Sequence, residues 1–301
     1  MRVVVTGATG RLGRALVDAL ADAPFSGLSG PIAWDRSAFD LDAPGGVEEV
    51  LDRDRPAVVI HAAAMTDVDG CARDPELALR RNGIATGALA LACSRRGIDL
   101  AVVSTNEVFD GRRTDGRGYA PDDPPAPINA YGASKLDGER RARAAYDAVA
   151  GGRLAIVRTA WLFGPPGSDF PAKILAAGRR AIGAGEPLRV VADEIGSPTY
   201  AADVADAISR LIEADRIDGV HHLVNAGRVS RAGWARELFR RTGLPVTIEE
   251  VPSAAWPRRS TPPLWGVLEP TTAPDQEPLR PWTEALAADL PRLVGRHAGV
   301  R

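Results

Sequence analysis

Short runs of hydrophobic residues alternate along the chain with longer segments in which hydrophobic positions recur at helical spacing. The short runs predict strands over Arg2–Thr6, Ile32–Trp34, Ala57–His61, Asp99–Ser104, Arg153–Arg158, Leu188–Val191 and Val220–Val224. The longer segments predict helices that begin near Arg11, Val47, Pro75, Asn129, Ser168 and Ala202, the third of them running to about Arg96. This alternation predicts an α/β fold with a doubly wound parallel sheet covered by helices on both faces. The ligand crevice of such a sheet lies at the carboxyl ends of its strands.

The second half of the sequence departs from this alternation. Prolines become frequent after about residue 250, and the helices predicted over Ser230–Arg241 and Thr283–Leu290 stand alone. This change predicts a smaller lobe beside the sheet. Three tryptophans indicate that the proline-rich part packs against the protein: Trp256, Trp265 and Trp282.

The composition is that of an ordinary globular chain. Of its 301 residues, 45% are hydrophobic and 25% are charged, which excludes a disordered, collagen-like or coiled-coil protein. The 37 basic and 39 acidic residues nearly cancel, so a small molecule is expected as partner, rather than nucleic acid or a membrane. The two cysteines predict free thiols, and without a signal-peptide core or a long apolar run we expect a cytoplasmic protein. We expect no metal site.

A glycine-rich loop follows the first predicted strand and opens the first predicted helix. Its glycines allow a tight turn and let the backbone approach a pyrophosphate held at the helix N-terminus. The loop therefore predicts a dinucleotide site, with cofactor contacts from Gly7, Gly10, Arg11, Leu12 and Gly13.

The second predicted strand leads to Asp35 and Arg36, about 22 positions after the last glycine of the loop. A carboxylate at this position accepts hydrogen bonds from the adenosine ribose, whereas a guanidinium pairs with the 2′-phosphate of NADP. The sequence therefore leaves the choice between NADH and NADPH open, and a solvated turn pair is the alternative. Asp40 and Leu41 are expected beside the adenine.

The third predicted strand ends in His61, and small side chains follow it. Ala62, Ala63 and Ala64 permit the close backbone approach that a flat cofactor needs. We interpret His61 as a packed residue at the strand end rather than as a catalytic base.

The helix predicted from Asn129 carries Tyr131 and Lys135, the latter one of only two lysines in the chain. A separation of four places both side chains on one helical face. A phenol has a pKa of about 10, and a neighbouring ammonium group is expected to lower it toward neutrality. This pair therefore predicts a proton donor, and Lys135 is also expected to hold the nicotinamide ribose.

The fourth predicted strand ends in Ser104 and Thr105, at the expected position of the substrate carbonyl. The Thr105 hydroxyl, in preference to that of Ser104, is expected to hydrogen-bond the carbonyl oxygen as negative charge develops on it. Thr105, Tyr131 and Lys135 together form the predicted catalytic set.

With these features, the chain resembles the extended short-chain dehydrogenase/reductases, and within them the dTDP-4-dehydrorhamnose reductase group, along nearly its whole length. The resemblance is carried by segments 6–13, 61–69, 75–82, 104–111, 131–135, 158–164 and 196–201, with weaker matches at 263–269 and 281–286. It implies a Rossmann-like domain over residues 1–162 with 198–222 and an α+β substrate lobe over 163–197 with 223–301.

The resemblance implies that NADPH or NADH reduces the 4-keto group of a dTDP-linked 6-deoxysugar, and it is compatible with a homodimer. In this family's pattern Thr105 polarises the carbonyl, Tyr131 gives the proton and Lys135 binds the ribose. Trp161 would stack on the sugar, or else serve as a core residue at a strand end. Substrate contacts are also expected from Thr66, Asn106 and Glu107.

Asn106 and Glu107 depart from the family, which usually has Asp and Tyr there, so substrate specificity is expected to differ.

Two other functions remain open. A nucleotide-sugar epimerase or dehydratase would hold NAD tightly, and a dehydratase would carry an acidic pair after Thr105, of which Glu107 supplies half. A non-catalytic NADP-binding regulatory subunit, like that of methionine adenosyltransferase, has the same fold but less reason to retain Tyr131 and Lys135.

Overall fold

A computed structural model describes residues 1–25, 30–149, 151–271 and 278–295. Its strands are β1 (Val3–Thr6), β2 (Ile32–Trp34), β3 (Val58–His61), β4 (Asp99–Thr105), β5 (Leu154–Thr159), β6 (Leu162–Phe163), β7 (Leu188–Val191), β8 (Ile195–Gly196), β9 (Thr199–Tyr200), β10 (Gly219–His222), β11 (Val229–Ser230), β12 (Ile248–Val251) and β13 (Trp265–Gly266). Its α-helices are α1 (Arg11–Ala21), α2 (Val47–Asp54), α3 (Val68–Arg73), α4 (Pro75–Ala78), α5 (Ala85–Ser94), α6 (Ala130–Asp147), α7 (Phe170–Ala184), α8 (Ala201–Glu213), α9 (Arg231–Thr242) and α10 (Trp282–Gly295). A π-helix spans Leu79–Ile84, and short 3₁₀ turns span Pro44–Gly46, Asn106–Val108 and Ser253–Ala255.

Six strands form a parallel sheet in the order β10-β5-β4-β3-β1-β2. Every residue of β1 and β3 is buried, because helices cover both faces, and this burial explains the unbroken apolar runs in the sequence. Strands β2 and β3 lie on opposite sides of β1, so the order of the strands reverses there. A crevice opens at the carboxyl ends of strands at such a point. The predicted α/β fold is confirmed.

Each face of the sheet carries its own helix layer. Helix α1 places Leu12, Leu16 and Leu20 at i, i+4 and i+8, and this stripe packs on one face together with α8. Helices α2, α5 and α6 cover the other face, where Leu51 and Leu89 are fully buried. The two layers fix the starts of α1 and α6, both of which border the crevice.

The second half of the chain contributes three small sheets, β11-β8-β13, β12-β7 and β6-β9. The predicted strand Leu188–Val191 exists, but it pairs with Ile248–Val251 instead of joining the central sheet. The domain boundaries remain a prediction, and the predicted lobe segment 223–301 includes residues 272–277 and 296–301, which lie outside the described residues.

Two further expectations need correction. The single helix predicted from Pro75 is interrupted by the π-helix. Within it, the buried Asn82 side chain accepts a hydrogen bond from the Met65 N–H and donates one to the Met65 carbonyl oxygen. Trp265 and Trp282 pack as predicted, whereas Trp256 is 56% exposed. Among the described residues, no helix is both long enough and apolar enough to span a membrane.

Candidate active site

A cleft of about 780 Å³ lies at the carboxyl ends of β1, β3, β4 and β5. Every cofactor, substrate and catalytic residue nominated from the sequence lines it. The lining residues that the sequence did not nominate include charged and aromatic side chains: Asp42, Arg81, Phe170, Lys173, Arg231 and Trp234.

The glycine loop packs tightly against the end of β3. Gly7 has φ +65°, and a Cβ there would lie 2.7 Å from the Ala63 Cα atom, so only glycine fits. The loop leads directly into α1, whose N-terminus attracts negative charge. A glycine turn against small alanines, at the start of a helix, is a cradle that fits a dinucleotide pyrophosphate.

Asp35 lies beyond β2 at the expected ribose position. One of its carboxylate oxygens, Oδ1, accepts hydrogen bonds from the Ser37 hydroxyl at 2.6 Å and the Ser37 backbone N–H at 2.8 Å. These bonds lower the pKa of Asp35 and fix its orientation. The hydrogen bonds found among the described residues all use Oδ1, which leaves Oδ2 to accept from a ribose hydroxyl.

Arg36 does not pair with its neighbour Asp35. Its Nε donates to Asp40 at 3.2 Å and its Nη2 to Asp42 at 2.8 Å. Arg81, on the π-helix, also donates two hydrogen bonds to Asp42, at 2.6 and 2.7 Å. The end of the cleft where the sequence predicts the adenosine therefore holds two guanidiniums on one carboxylate.

His61 is a packed residue, as interpreted from the sequence. It is fully buried between the Thr6 hydroxyl, 2.8 Å from Nδ1, and the Thr86 hydroxyl, 3.0 Å from Nε2. Burial, together with the Lys135 charge, lowers its pKa to about 3, so the imidazole is neutral. The ring links Thr6 of β1 to Thr86 of α5 across the end of β3.

Helix α6 positions the tyrosine and lysine at its first turns. The Asn129 side chain caps the helix by accepting the Gly132 N–H at 2.8 Å, and Gly132 is so close to the preceding turn that a Cβ would lie 1.9 Å from the Glu107 carbonyl oxygen. Both Tyr131 and Lys135 line the cleft, and Lys135 is 4% exposed. Helix α6 therefore brings both nominated side chains to the cleft, and the effect of Lys135 on the phenol stays a prediction.

The pKa of Tyr131 is shifted in the direction opposite to the prediction. Burial raises it above its ordinary value, and the Glu107 carboxylate raises it further, while a hydrogen bond with Thr105 acts in the other direction. Burial also lowers the pKa of Lys135, to about 8. The expected lowering by the Lys135 ammonium is not among the causes of the Tyr131 shift, in which desolvation is the largest effect.

A buried ionic network lies behind Lys135. Glu139, one turn further along α6, accepts hydrogen bonds from Ser104 at 2.6 Å and from Arg158 at 2.8 and 3.0 Å. The Glu139 carboxylate partly offsets the lowering of the Lys135 pKa. The Ser104 hydroxyl is committed to Glu139, which favours Thr105 as the substrate hydroxyl, and that role stays a prediction.

Thr105 and its neighbours form the other wall beside the phenol. The Thr105 hydroxyl accepts the Glu107 N–H at 3.2 Å and lies 3.4 Å from the Asn106 side-chain oxygen. Asn106 is 4% exposed, and its Nδ2 has no partner among the described residues. Glu107 accepts a hydrogen bond from Asn129 at 2.7 Å, and burial raises its pKa. Asn106 and Glu107 therefore give the cleft a polar wall.

Trp161 has a backbone conformation rare for a non-glycine residue, with φ +42°. Its ring stacks parallel to Trp234 at 6.0 Å between centroids, and the Arg231 guanidinium lies 3.5 Å from its centroid. Burial lowers the pKa of Arg231 to about 10, which still leaves it charged at neutral pH. Trp161 thus both lines the cleft and packs in the lobe, and its contact with a sugar stays a prediction.

The sequence of the chain matches the family described as the RmlD substrate binding domain over residues 1–294. It is 38% identical over 297 residues to a dTDP-4-dehydrorhamnose reductase of Mycobacterium tuberculosis, covering 96% of this chain and 92% of that protein. A dTDP-4-dehydrorhamnose reductase of Streptomyces griseus is 36% identical over 302 residues, covering 98% of this chain and 95% of that protein.

The fold is similar to a crystal structure of dTDP-4-dehydrorhamnose reductase from Bacillus anthracis in complex with NADP. The two superpose with a TM-score of 0.87 at 31% sequence identity, covering 97% of this chain and 99% of that one. The similarity therefore extends across the whole cleft and the small sheets beside it.

Proposed function

The chain belongs to the RmlD substrate binding domain family, and on this basis and the geometry of the cleft we propose that it is an NAD(P)H-dependent reductase of the 4-keto group of a dTDP-linked 6-deoxysugar. The observation that carries the proposal is the placement of Tyr131 and Lys135 on one face of α6, with Thr105 lining the same cleft, which fits a dinucleotide. Relatives named as reductases of this substrate class support the choice of sugar.

NADPH or NADH, when bound, supplies the hydride that reduces the carbonyl carbon. The Thr105 hydroxyl donates a hydrogen bond to the carbonyl oxygen and fixes its position beside Tyr131. The Tyr131 phenol, kept protonated by its raised pKa, donates its proton to that oxygen, and the phenolate left behind recovers a proton from water. Lys135 stabilises this phenolate by its charge and is placed to donate hydrogen bonds to the nicotinamide ribose.

The nucleotide sugar would occupy the end of the cleft formed with the lobe. Phe170, Trp234 and the Arg231–Trp161 stack supply apolar surface and one positive charge there, and Asn106 and Glu107 supply polar groups. Because hydroxyl groups of a hexose require paired donors and acceptors when they are buried, this mixture suits a sugar. NADP in the crystal structure of the Bacillus anthracis reductase supports the assignment of the other end to NADPH or NADH.

The test is turnover of dTDP-4-dehydrorhamnose with NADPH, followed as loss of reduced nicotinamide and by identification of the sugar product. We expect Tyr131→Phe to lower kcat by about 10²- to 10⁴-fold, the usual contribution of a positioned acid. Tyr146→Phe is the matched control, since Tyr146 lies on the same helix outside the cleft and its hydroxyl bonds only the Ile98 carbonyl among the described residues.

Equal turnover by Tyr131→Phe and the unmodified protein would refute the assigned acid. A sugar product formed without net loss of NADPH would instead identify an epimerase or dehydratase, because those reactions regenerate their cofactor. NADPH binding without turnover of any keto-sugar would favour a regulatory subunit.

A further inference from the structure

One carboxylate binds two guanidiniums at the adenosine end of the cleft. Asp42 accepts from Arg36 at 2.8 Å and from Arg81 at 2.6 and 2.7 Å. Arg36 comes from the turn after β2, whereas Arg81 comes from the π-helix, 39 positions beyond Asp42. Arg36 is only six positions from Asp42, so tertiary folding is what adds Arg81 to this local pair.

This arrangement matches what a phosphate monoester requires. Guanidiniums bind phosphate oxygens through the same forked geometry that they use with carboxylates. All three side chains line the cleft together with Asp35, whose free oxygen marks the ribose position. The Asp42 carboxylate therefore occupies, toward Arg36 and Arg81, the role that a 2′-phosphate on the adenosine would take.

The local charge decides which cofactor this end of the cleft favours. The carboxylates of Asp35, Asp40 and Asp42 outnumber the two guanidiniums, so the cluster carries surplus negative charge before any ligand binds. A phosphate monoester adds about −1.5 to −2 charges at neutral pH, whereas a 2′-hydroxyl adds none. Asp42 thus competes with a 2′-phosphate for its donors and also repels it.

We propose that Asp42 sets the discrimination between NADPH and NADH by holding Arg36 and Arg81, so that the protein accepts both cofactors. Arg81 is then a cofactor-specificity residue supplied by the π-helix. This inference rests on the proposed function, because it assumes that the cleft binds a nicotinamide dinucleotide.

The experiment compares the affinities of two probes, 2′,5′-ADP and 5′-ADP, which differ only by the 2′-phosphate. Isothermal titration of the full chain needs neither the sugar nor turnover. We expect the unmodified protein to bind the two probes within about tenfold of each other, and Asp42→Asn to bind 2′,5′-ADP about tenfold more tightly, because one like charge a few ångströms away has been removed. The affinity for 5′-ADP should change less than about twofold.

Two further variants make the result specific. Adding Arg81→Met to Asp42→Asn should abolish the gain, because the freed guanidinium is then missing. Asp52→Asn is the matched control, since it releases Arg96 from an equivalent pair of bonds, 2.8 and 3.1 Å, outside the cleft, and it should change neither affinity.

An unchanged affinity of Asp42→Asn for 2′,5′-ADP would overturn the inference, and so would a gain that persists without Arg81. Failure of the proposed function gives a different result. In that case neither probe binds to any variant, although circular dichroism shows that the variants are folded.

Discussion

Replacing Glu139 by glutamine tests whether the buried network behind Lys135 stabilises the protein. Glu139 is fully buried, and both its oxygens are occupied, by the Ser104 hydroxyl and the Arg158 guanidinium. Glutamine keeps the size of the side chain but removes the charge, and its amide nitrogen can no longer accept. Arg158, 1% exposed, is then left without its carboxylate partner.

The expected loss is set by that unpaired guanidinium. Removing one partner of a buried ion pair costs about 3–5 kcal/mol, because the other charge remains desolvated. The Arg143 guanidinium also lies 3.3 Å from Glu139, but its side chain is 37% exposed, and such pairs contribute only about 0–1 kcal/mol. We therefore expect Glu139→Gln to lower the free energy of unfolding by about 3–5 kcal/mol and Arg143→Met to lower it by less than about 1 kcal/mol.

The loss should depend on pH. Burial raises the pKa of Glu139, but the bonds and charge of Arg158 outweigh it, so the folded pKa lies below the ordinary value. A lowered folded pKa stabilises the protein above the unfolded pKa of about 4.3, and this contribution disappears as pH falls through the folded value. The difference between Glu139→Gln and the unmodified protein should therefore be full at pH 7 and shrink in acid.

Urea unfolding followed by tryptophan fluorescence measures the loss, with Arg143→Met as the control. Replacing Glu139 and Arg158 together by methionine should recover most of the stability, because the guanidinium that Glu139→Gln leaves unpaired is then absent. The reasoning is refuted if Glu139→Gln unfolds at the same urea concentration as Arg143→Met, or if the double variant is less stable than the single one.

Two other results are expected. NADPH affinity should decrease as pH rises above about 8, because Lys135 loses its proton with a pKa near that value. Fluorescence titration at several pH values measures this affinity. An unchanged affinity up to pH 10 would contradict the role of the ammonium group. Gly7→Ala should weaken NADPH binding at least about tenfold while the protein still folds, since φ of +65° and the 2.7 Å approach to Ala63 force the loop to move. Gly45→Ala, with open space around the position, is its control in the same titration.

The sequence predicted the central strands to within one or two residues, most directly where they are buried on both faces. Their apolar runs are continuous, as in β1 and β3, and glycines or polar residues end them. The partner of each strand was harder to predict from the sequence. Leu188–Val191 pairs with Ile248–Val251, and no local pattern distinguishes that partner from the edge of the central sheet. The π-helix at Leu79–Ile84 leaves no signal in hydrophobic spacing either.

The residues of the candidate site likewise fall into those that the sequence predicted and those that it did not. Residues in contiguous motifs, such as the glycine loop and the Tyr131–Lys135 pair, were placed in the cleft from the sequence alone. Asp42, Arg81 and Arg231 were not, because each is an ordinary charged residue until folding brings it to the cleft. A charged residue carries a recognisable signal only when its partner is nearby in sequence.

The pKa of Tyr131 shows why the same limit matters for chemistry. A neighbouring lysine, considered alone, favours phenolate, which is the form needed to oxidise an alcohol. The folded cleft adds desolvation and the Glu107 carboxylate, and both favour the protonated phenol. Reduction of a carbonyl consumes a proton, and a phenol that is protonated at neutral pH carries it. The environment of Tyr131, more than its spacing from Lys135, therefore sets the direction of its pKa shift.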